Sequence, residues 1–174
     1  TPEAKNNMFP FFPDIHGAPF NPMEAQSRLT RWTVDMASNS GAFEKSERLT
    51  DFVGEFPRID ERYMTQPYRH GWLLDFGGGP GMRSGLGHLD HASGKVESWQ
   101  AGPGLMLQEP CFIPRSQDAA EGDGYIVQIQ QHASGGKSDL LLFDAQHVAD
   151  GPLATIHVPF RMRFGLHGNW VTGA

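Results

Sequence analysis

Cysteine is nearly absent from this 174-residue chain, in which Cys111 is the one cysteine. A single thiol excludes a disulfide within the chain and any zinc site built from several cysteines. Disulfides accumulate in oxidising compartments, so a chain without an internal one fits a reducing compartment better. We therefore predict a cytoplasmic protein that has no disulfide partner.

Basic charge is also scarce and scattered. Lysine and arginine number 14 against 20 acidic residues, for a formal net charge of −6. Binding to nucleic acid requires clustered cations that meet the phosphates, so we expect no nucleic-acid partner. No apolar run reaches the roughly 18 residues of a membrane span, and the first residues lack the features of a secretory signal. The sequence therefore predicts a soluble protein without membrane contact.

Glycine and proline, in contrast, are abundant, with 21 and 13 residues. They divide the chain into short apolar runs bounded by turn residues, a pattern typical of antiparallel strands. The runs with strand character cover 71–76, 95–100, 125–131, 139–144 and 154–159. Residues 133–139 separate two of these runs and predict a hairpin connection. We predict an all-β fold in which residues 1–174 belong to one domain.

Two further segments carry a local pattern. Trp32, Val34 and Met36 alternate with polar residues, which predicts a half-buried strand. Residues 22–29 predict a helical turn, because Asn21 can cap it and a proline occupies its first position. About ten short strands would leave an open edge in a closed β architecture, so we expect this chain to be part of a longer one.

The chain has eight histidines, each a candidate metal ligand, because imidazole is the commonest ligand of transition metals in proteins. His88 and His91 are three residues apart in a glycine-rich stretch with no third ligand nearby, which favours a solvated turn over a metal site. His167 lies in FGLHGNW, among apolar residues and between two glycines that allow a close approach of the backbone. Two interpretations remain open for it: a metal ligand in an apolar pocket, or a histidine satisfied within the core.

Two glutamates have an unusual setting. Glu55 in GEFPRID and Glu109 in QEPCFIP each lie between apolar residues and beside a proline. A buried carboxylate needs a partner, and one recurring partner is the Nδ1 proton of a histidine that binds a metal through Nε2. The alternative is an ordinary buried ion pair with Arg58 or Arg62, and the sequence does not decide between the two.

Taken together, these segments resemble the carotenoid cleavage oxygenases, in the same order and spacing from one end of the chain to the other. The branch that they resemble most is that of the bacterial lignostilbene (stilbenoid) dioxygenases. The motifs that carry the resemblance are NNMFPFFP (6–13), LTRWTVD (29–35), GEFPRIDERY (54–63), PYRHGW (67–72), QEPCFIPRSQDAAEGDGYIV (108–127), LLLFDAQHVADGPLATIHVP (140–159) and FGLHGNW (164–170).

The resemblance implies a seven-bladed β-propeller, of which this chain would form the C-terminal blades, about a third of the whole enzyme. It also implies one Fe²⁺ held by four histidines, three of which are oriented by glutamates. By motif, His167 matches the last iron ligand, and Glu55 and Glu109 match two of the orienting glutamates. The other ligands would lie upstream, so the chain alone, with one ligand of four, is expected to be inactive.

The implied reaction is the cleavage of a conjugated double bond by O2, which for a stilbenoid substrate yields two aldehydes. The resemblance implies no catalytic residue beyond the iron shell. Phe9 matches a position that lines the substrate pocket in relatives that cleave stilbenes, although a role in the propeller core is the alternative. The partners implied are O2 and a small hydrophobic aromatic or polyene substrate. Two other functions stay open: cleavage of an apocarotenoid or carotenoid, and a non-catalytic propeller that binds a partner.

Overall fold

A computed structural model of the chain describes residues 1–3, 13, 16–19, 21, 26–77 and 84–171. Within these residues the chain forms antiparallel strands joined by turns and two short 3-10 helices, Glu61–Tyr63 and Val148–Asp150. The strands are β1 (Pro2–Glu3), β2 (Arg28–Thr33), β3 (Lys45–Ile59), β4 (His70–Asp75), β5 (Gly85–Asp90), β6 (Lys95–Gln100), β7 (Leu105–Leu107), β8 (Cys111–Pro114), β9 (Gly124–His132), β10 (Ser138–Asp144) and β11 (Ala154–Val158). The all-β prediction is confirmed.

Strands β1 to β6 form one sheet in chain order. β3 is 15 residues long and has two partners, because its first half pairs with β2 and its second half with β4. The register of the β3–β4 pairing shifts between Glu55 and Arg58, and in this interval Phe56 has a φ of 52°. A positive φ is uncommon outside glycine, and a bulge of this kind bends a strand and redirects its side chains. The bulge therefore changes the direction of β3 at the GEFPR motif.

The second sheet has the order β11-β10-β9-β7, and β8 also pairs with β9. β9 and β10 form a regular hairpin in which Ser138 pairs with Gln131 and Asp144 with Tyr125. β11 pairs with β10 through residues 154–158. Beyond β11 the chain continues without regular secondary structure through residues 159–171.

A hydrophobic cluster joins the two sheets. Burial of apolar side chains is the main favourable contribution to folding, and this cluster brings together buried side chains of both sheets. The Trp72 indole N–H donates a hydrogen bond of 2.7 Å to the Ala145 carbonyl, which links β4 to the turn after β10. The buried members of the cluster are Trp72, Leu74, Leu86, Leu107, Phe112, Ile126, Leu141, Phe143, Ala145 and Val148.

Most of the predicted strands are present. β4, β6, β9, β10 and β11 coincide with the predicted runs to within one residue at either end, and residues 133–137 form the predicted hairpin connection. Their boundaries follow from glycine, proline and aspartate at the turns, which sequence alone identifies well.

The strand predicted around Trp32, Val34 and Met36 was wrong in its position. β2 ends at Thr33, and these three side chains are exposed. The Asp35 carboxylate accepts a hydrogen bond of 2.8 Å from the Ala37 N–H, a local turn that competes with the strand pattern.

The helical turn predicted for 22–29 lies partly outside the described residues, since 22–25 belong to the part that is not described. Arg28 and Leu29 lie in β2, so the second half of that prediction was wrong. Among the described residues, no helix has the length and apolarity to cross a membrane.

Candidate metal centre

His167 and Glu109 are in contact. His167 lies in the irregular segment after β11, and its Nδ1 is 3.4 Å from Oε1 of Glu109, a long hydrogen bond. A carboxylate accepts hydrogen bonds, so in this contact Nδ1 carries the ring proton and Nε2 keeps its lone pair. A carboxylate on Nδ1 is the arrangement that orients a histidine toward a metal on Nε2.

The Glu109 carboxylate is fixed by a second contact. The residue Glu109 lies between β7 and β8 and is followed by the buried Pro110. Its Oε2 accepts a hydrogen bond of 2.8 Å from the Gly168 N–H. Its side chain is 6% exposed, whereas that of His167 is 73% exposed. The carboxylate is thus buried beneath an imidazole whose other face remains open.

The bulge in β3 brings a third residue, Phe56, into contact with His167. The ring of Phe56 meets the His167 ring edge to face, with 5.4 Å between centroids and an interplanar angle of 88°. Aromatic rings favour this perpendicular arrangement, because the positive edge of one meets the negative face of the other. Phe56 reaches His167 from the point where its backbone has a positive φ, and it follows Glu55 directly in sequence.

Glu55 has a buried oxygen without a partner. Among the described residues, its Oε1 is buried and makes no hydrogen bond. Burial raises the pKa of the Glu55 carboxyl above its ordinary value, and a hydrogen bond from Ser27 offsets part of that effect. Buried oxygens are nearly always satisfied, so the unpaired oxygen of Glu55 calls for a donor, such as a second imidazole.

Glu109 has an arginine partner as well as its histidine partner. Arg58 Nη1 lies 3.4 Å from Glu109 Oε1, while Arg62 pairs with Asp60 instead. Glu109 therefore combines the ion pair and the histidine contact. For Glu55 the structure gives neither partner within the part of the chain that it describes.

The apolar side chains next to His167 in sequence are exposed in this part of the protein. Phe164, Leu166 and Trp170 are between 48% and 59% exposed, so they do not enclose the imidazole. The His167 ring itself is also exposed within this chain.

A complete metal site is not formed by the residues that the structure describes, since no group of three histidine, cysteine, aspartate or glutamate side chains among them could hold an ion. His167 is thus brought together with Glu109 and lies next to the Glu55–Phe56 bulge. Phe9, the predicted substrate contact, lies outside the described residues.

The prediction of a solvated turn at His88 was wrong. His88 is buried in β5, its ring stacks on Trp72, and its Nε2 is 3.0 Å from His70 Nδ1. The neighbouring glycines mark close packing rather than a loop, since a Cβ at Gly85 would lie 2.3 Å from the Trp99 carbonyl oxygen. Burial, with a smaller contribution from His70, lowers the pKa of His88 to about 4.

Comparisons with known proteins agree with these motifs. The protein family described as retinal pigment epithelial membrane protein matches residues 2–172. The chain is 51% identical to a lignostilbene-alpha,beta-dioxygenase, isozyme III, from Sphingomonas paucimobilis, over 98% of this chain and 37% of that protein. It is 38% identical to an isoeugenol monooxygenase from Pseudomonas nitroreducens, over 96% of this chain and 37% of that protein.

The fold is shared with a solved structure. The crystal structure of the lignostilbene dioxygenase of Pseudomonas brassicacearum superposes with a TM-score of 0.83 at 39% identity, over 96% of this chain and 37% of that one. The chain therefore spans somewhat over a third of the length of these relatives. The family match over nearly all of its length, together with the shared propeller fold, shows that the chain belongs to the carotenoid cleavage oxygenase family of enzymes.

Proposed function

We propose that the protein containing this chain is a non-heme Fe(II) dioxygenase that cleaves the central double bond of a stilbenoid with O2 and releases two aldehydes. The observation that carries the proposal is the contact of His167 Nδ1 with the buried Glu109 carboxylate, beside the bulge that bears Glu55. The chain spans 37% of the length of its dioxygenase relative, so the activity is proposed for the whole protein and not for this part alone.

The residues present fit an iron ion. His167 directs Nδ1 to Glu109, which leaves Nε2 for the metal. The buried, unpaired Oε1 of Glu55 fits a carboxylate that orients a second histidine from another part of the protein. Imidazole is a suitable ligand for iron, and one imidazole alone does not retain it, so ligands from another part of the protein must complete the site. The family resemblance implies that these are three further histidines.

When bound, Fe(II) with neutral histidine ligands would supply the activation of O2 beside an electron-rich double bond. The role of His167 is to bind and position the metal, and the role of Glu109 is to hold the imidazole in one orientation. The reaction needs no proton from the substrate: the carbon–carbon double bond breaks, and each carbon receives one oxygen atom of O2. We therefore assign no acid or base to this chain.

The proposed substrate is small, flat and conjugated. Such a molecule needs apolar and aromatic walls, and we propose Phe9 as one of them, on the strength of its NNMFPFF motif. The lignostilbene dioxygenase and isoeugenol monooxygenase relatives carry in their names aromatic compounds with a conjugated double bond, which supports a phenolic stilbenoid over a carotenoid. Residues 1–174 are proposed as the C-terminal part of a single propeller domain, and the single cysteine supports a cytoplasmic location.

Two experiments on the longest polypeptide that contains this chain test the proposal. The first is the iron content after purification, expected to be one Fe(II) per chain. The second is O2-dependent cleavage of a 4-hydroxystilbene, with identification of both aldehydes. Removal of iron with a chelator should abolish cleavage, and its return should restore it.

Other outcomes of these experiments would identify the two alternative functions, carotenoid cleavage and partner binding without catalysis. Bound iron with cleavage of an apocarotenoid but not of a stilbene would identify a carotenoid-cleaving enzyme. An iron-free protein in which all four histidines are present would contradict the proposal and favour a propeller that only binds a partner.

A further inference from the structure

A closed ring of side chains lies beside the His167–Glu109 contact. Arg58 Nη2 donates to Glu61 Oε1 at 2.5 Å and to Asn169 Oδ1 at 3.2 Å. Asn169 Nδ2 in turn donates to Glu61 Oε2 at 3.2 Å, so each of the three side chains is bonded to the other two. A planar guanidinium can hold several acceptors at fixed angles, which a lysine in its place cannot do.

This ring joins parts of the chain that are distant in sequence. Arg58 lies near the end of β3 and Glu61 in the 3-10 helix that follows, whereas Asn169 lies in the irregular segment, 111 residues from Arg58. That segment is held by side-chain hydrogen bonds, such as those from Gln131 to the Met162 carbonyl and from the Gly168 N–H to Glu109. Asn169 is two residues from His167, so the ring fixes the backbone that carries the imidazole.

The same arginine also reaches the carboxylate. Arg58 Nη1 is 3.4 Å from Glu109 Oε1, the oxygen that faces His167 Nδ1. The Arg58 side chain is 18% exposed and that of Glu109 is 6% exposed, so the two charges interact with less screening than a surface pair would have. Arg58 thus contacts both supports of His167: the Glu109 carboxylate directly, and the backbone of the segment through Asn169.

We propose that Arg58, through Glu61, Asn169 and Glu109, is a positioning residue that holds His167 in the orientation required for iron binding. This inference rests on the proposed function, because it takes His167 as an iron ligand. It adds a residue that acts through Glu109 and Asn169 and is not itself an iron ligand. Its effect should appear in the strength and symmetry of iron binding rather than in the folding of the chain.

The test compares Arg58→Met, Arg58→Lys and Arg62→Met in the longest polypeptide that contains this chain. Arg62 is the matched control, because it lies four residues further along and anchors the carbonyls of Gln117 and Ala119 at 3.0 Å without contacting Glu109. For each variant we would measure the iron affinity by competition with a chelator, the near-infrared magnetic circular dichroism of the Fe(II) site, and the unfolding midpoint.

Arg58→Met should lower the iron affinity about tenfold and alter the Fe(II) spectrum, the lower end of the range for residues that orient a ligand. Arg58→Lys should bind iron more tightly than Arg58→Met but less tightly than the parent, because lysine keeps the positive charge but lacks the planar guanidinium that holds several acceptors. Arg62→Met should keep the parental affinity and spectrum, even where its unfolding midpoint falls. Parental iron binding in Arg58→Met would overturn the inference, and so would an equal loss of affinity in Arg62→Met.

Two further variants keep the inference testable. If Arg58→Met does not fold, Asn169→Ala replaces it, because Asn169 is exposed and its loss opens the ring without removing a buried charge. A parental affinity and spectrum in Asn169→Ala would then overturn the inference. Iron retained by His167→Ala would instead contradict the proposed function, whereas iron lost by His167→Ala but kept by Arg58→Met contradicts only the role of Arg58.

Discussion

The Nδ1 atom of His167 lies 3.4 Å from Oε1 of Glu109, across a sequence separation of 58 residues. Glu109 in addition accepts a hydrogen bond from the Gly168 N–H, so one buried carboxylate holds both the ring and the backbone beside it. A histidine held in this way has one free nitrogen in a fixed direction, which is what a metal site requires.

His167→Ala should abolish iron binding in the complete protein, because it removes the imidazole whose Nε2 faces away from Glu109. The matched control is His147→Ala, which alters another exposed histidine whose Nδ1 also meets a carboxylate, 3.0 Å from Asp144 Oδ1. Iron per chain, measured by atomic absorption, should fall to background in the first variant and stay at the parental value in the second. Unchanged iron in His167→Ala would rule out its assignment as a ligand.

Glu109→Gln should weaken iron binding or activity about 10- to 100-fold, the usual effect of losing a group that orients a ligand. Glutamine has one oxygen, so it cannot accept from His167 and Gly168 on two separate oxygens as the carboxylate does. Chelator competition measures the loss, and Glu47→Gln, half-buried near the start of β3 and paired with Lys45, is the control. Parental affinity in Glu109→Gln would mean that the Arg58 ion pair is the whole role of this glutamate.

Glu55→Gln should also weaken iron binding about 10- to 100-fold, through a histidine that the described residues do not include. A glutamine keeps the size of the side chain but loses the charge that favours a hydrogen bond from an imidazole. Iron affinity and the unfolding midpoint should be measured together. An unchanged affinity in a normally folded Glu55→Gln protein would leave only a packing role for Glu55.

Stability should decrease on acidification because of His88. Burial holds the pKa of His88 at about 4, below the ordinary value of 6.5, so the unfolded chain binds more protons between these values. The free energy of unfolding should therefore fall as the pH drops from 6.5 toward 4, with roughly 3 kcal/mol as the upper limit for one group. Denaturant titrations at several pH values should show a weaker pH dependence for His88→Gln. An equal pH dependence of stability in the parent and in His88→Gln would exclude His88 as the source of that dependence.

Gly54→Ala should destabilise the protein by about 1 to 3 kcal/mol, the usual cost of overpacking. A Cβ at Gly54 would lie 2.2 Å from the Leu74 carbonyl oxygen, so β3 must move away from β4 next to Glu55. Gly102→Ala is the control, because the nearest atom to its Cβ would be 3.6 Å away, on Leu105. Thermal unfolding compares the two variants, and similar midpoints would mean that β3 adapts without cost.

Local sequence patterns were sufficient to predict much of the fold. β9 and β10 were predictable because alternating apolar residues are bounded by a glycine-rich turn, and each signal lies within a few neighbouring residues. The same reasoning misplaced the strand near Trp32, where a local turn at Asp35 ends the pairing. It also mistook the glycines around His88 for a loop, because close packing against Trp99 is not visible in a short segment.

The sequence by itself determined the fold class and most strand positions, since each depends on residue types next to one another. It also singled out His167, Glu55 and Glu109 as candidates for a metal site. Only the tertiary structure decided which partners meet. It joined Glu109 to both Arg58 and His167, and it closed Arg58, Glu61 and Asn169 into one ring. The physical reason is distance along the chain. Contacts between residues separated by 51 to 111 positions depend on how the two sheets and the final segment pack, and no local pattern encodes that packing.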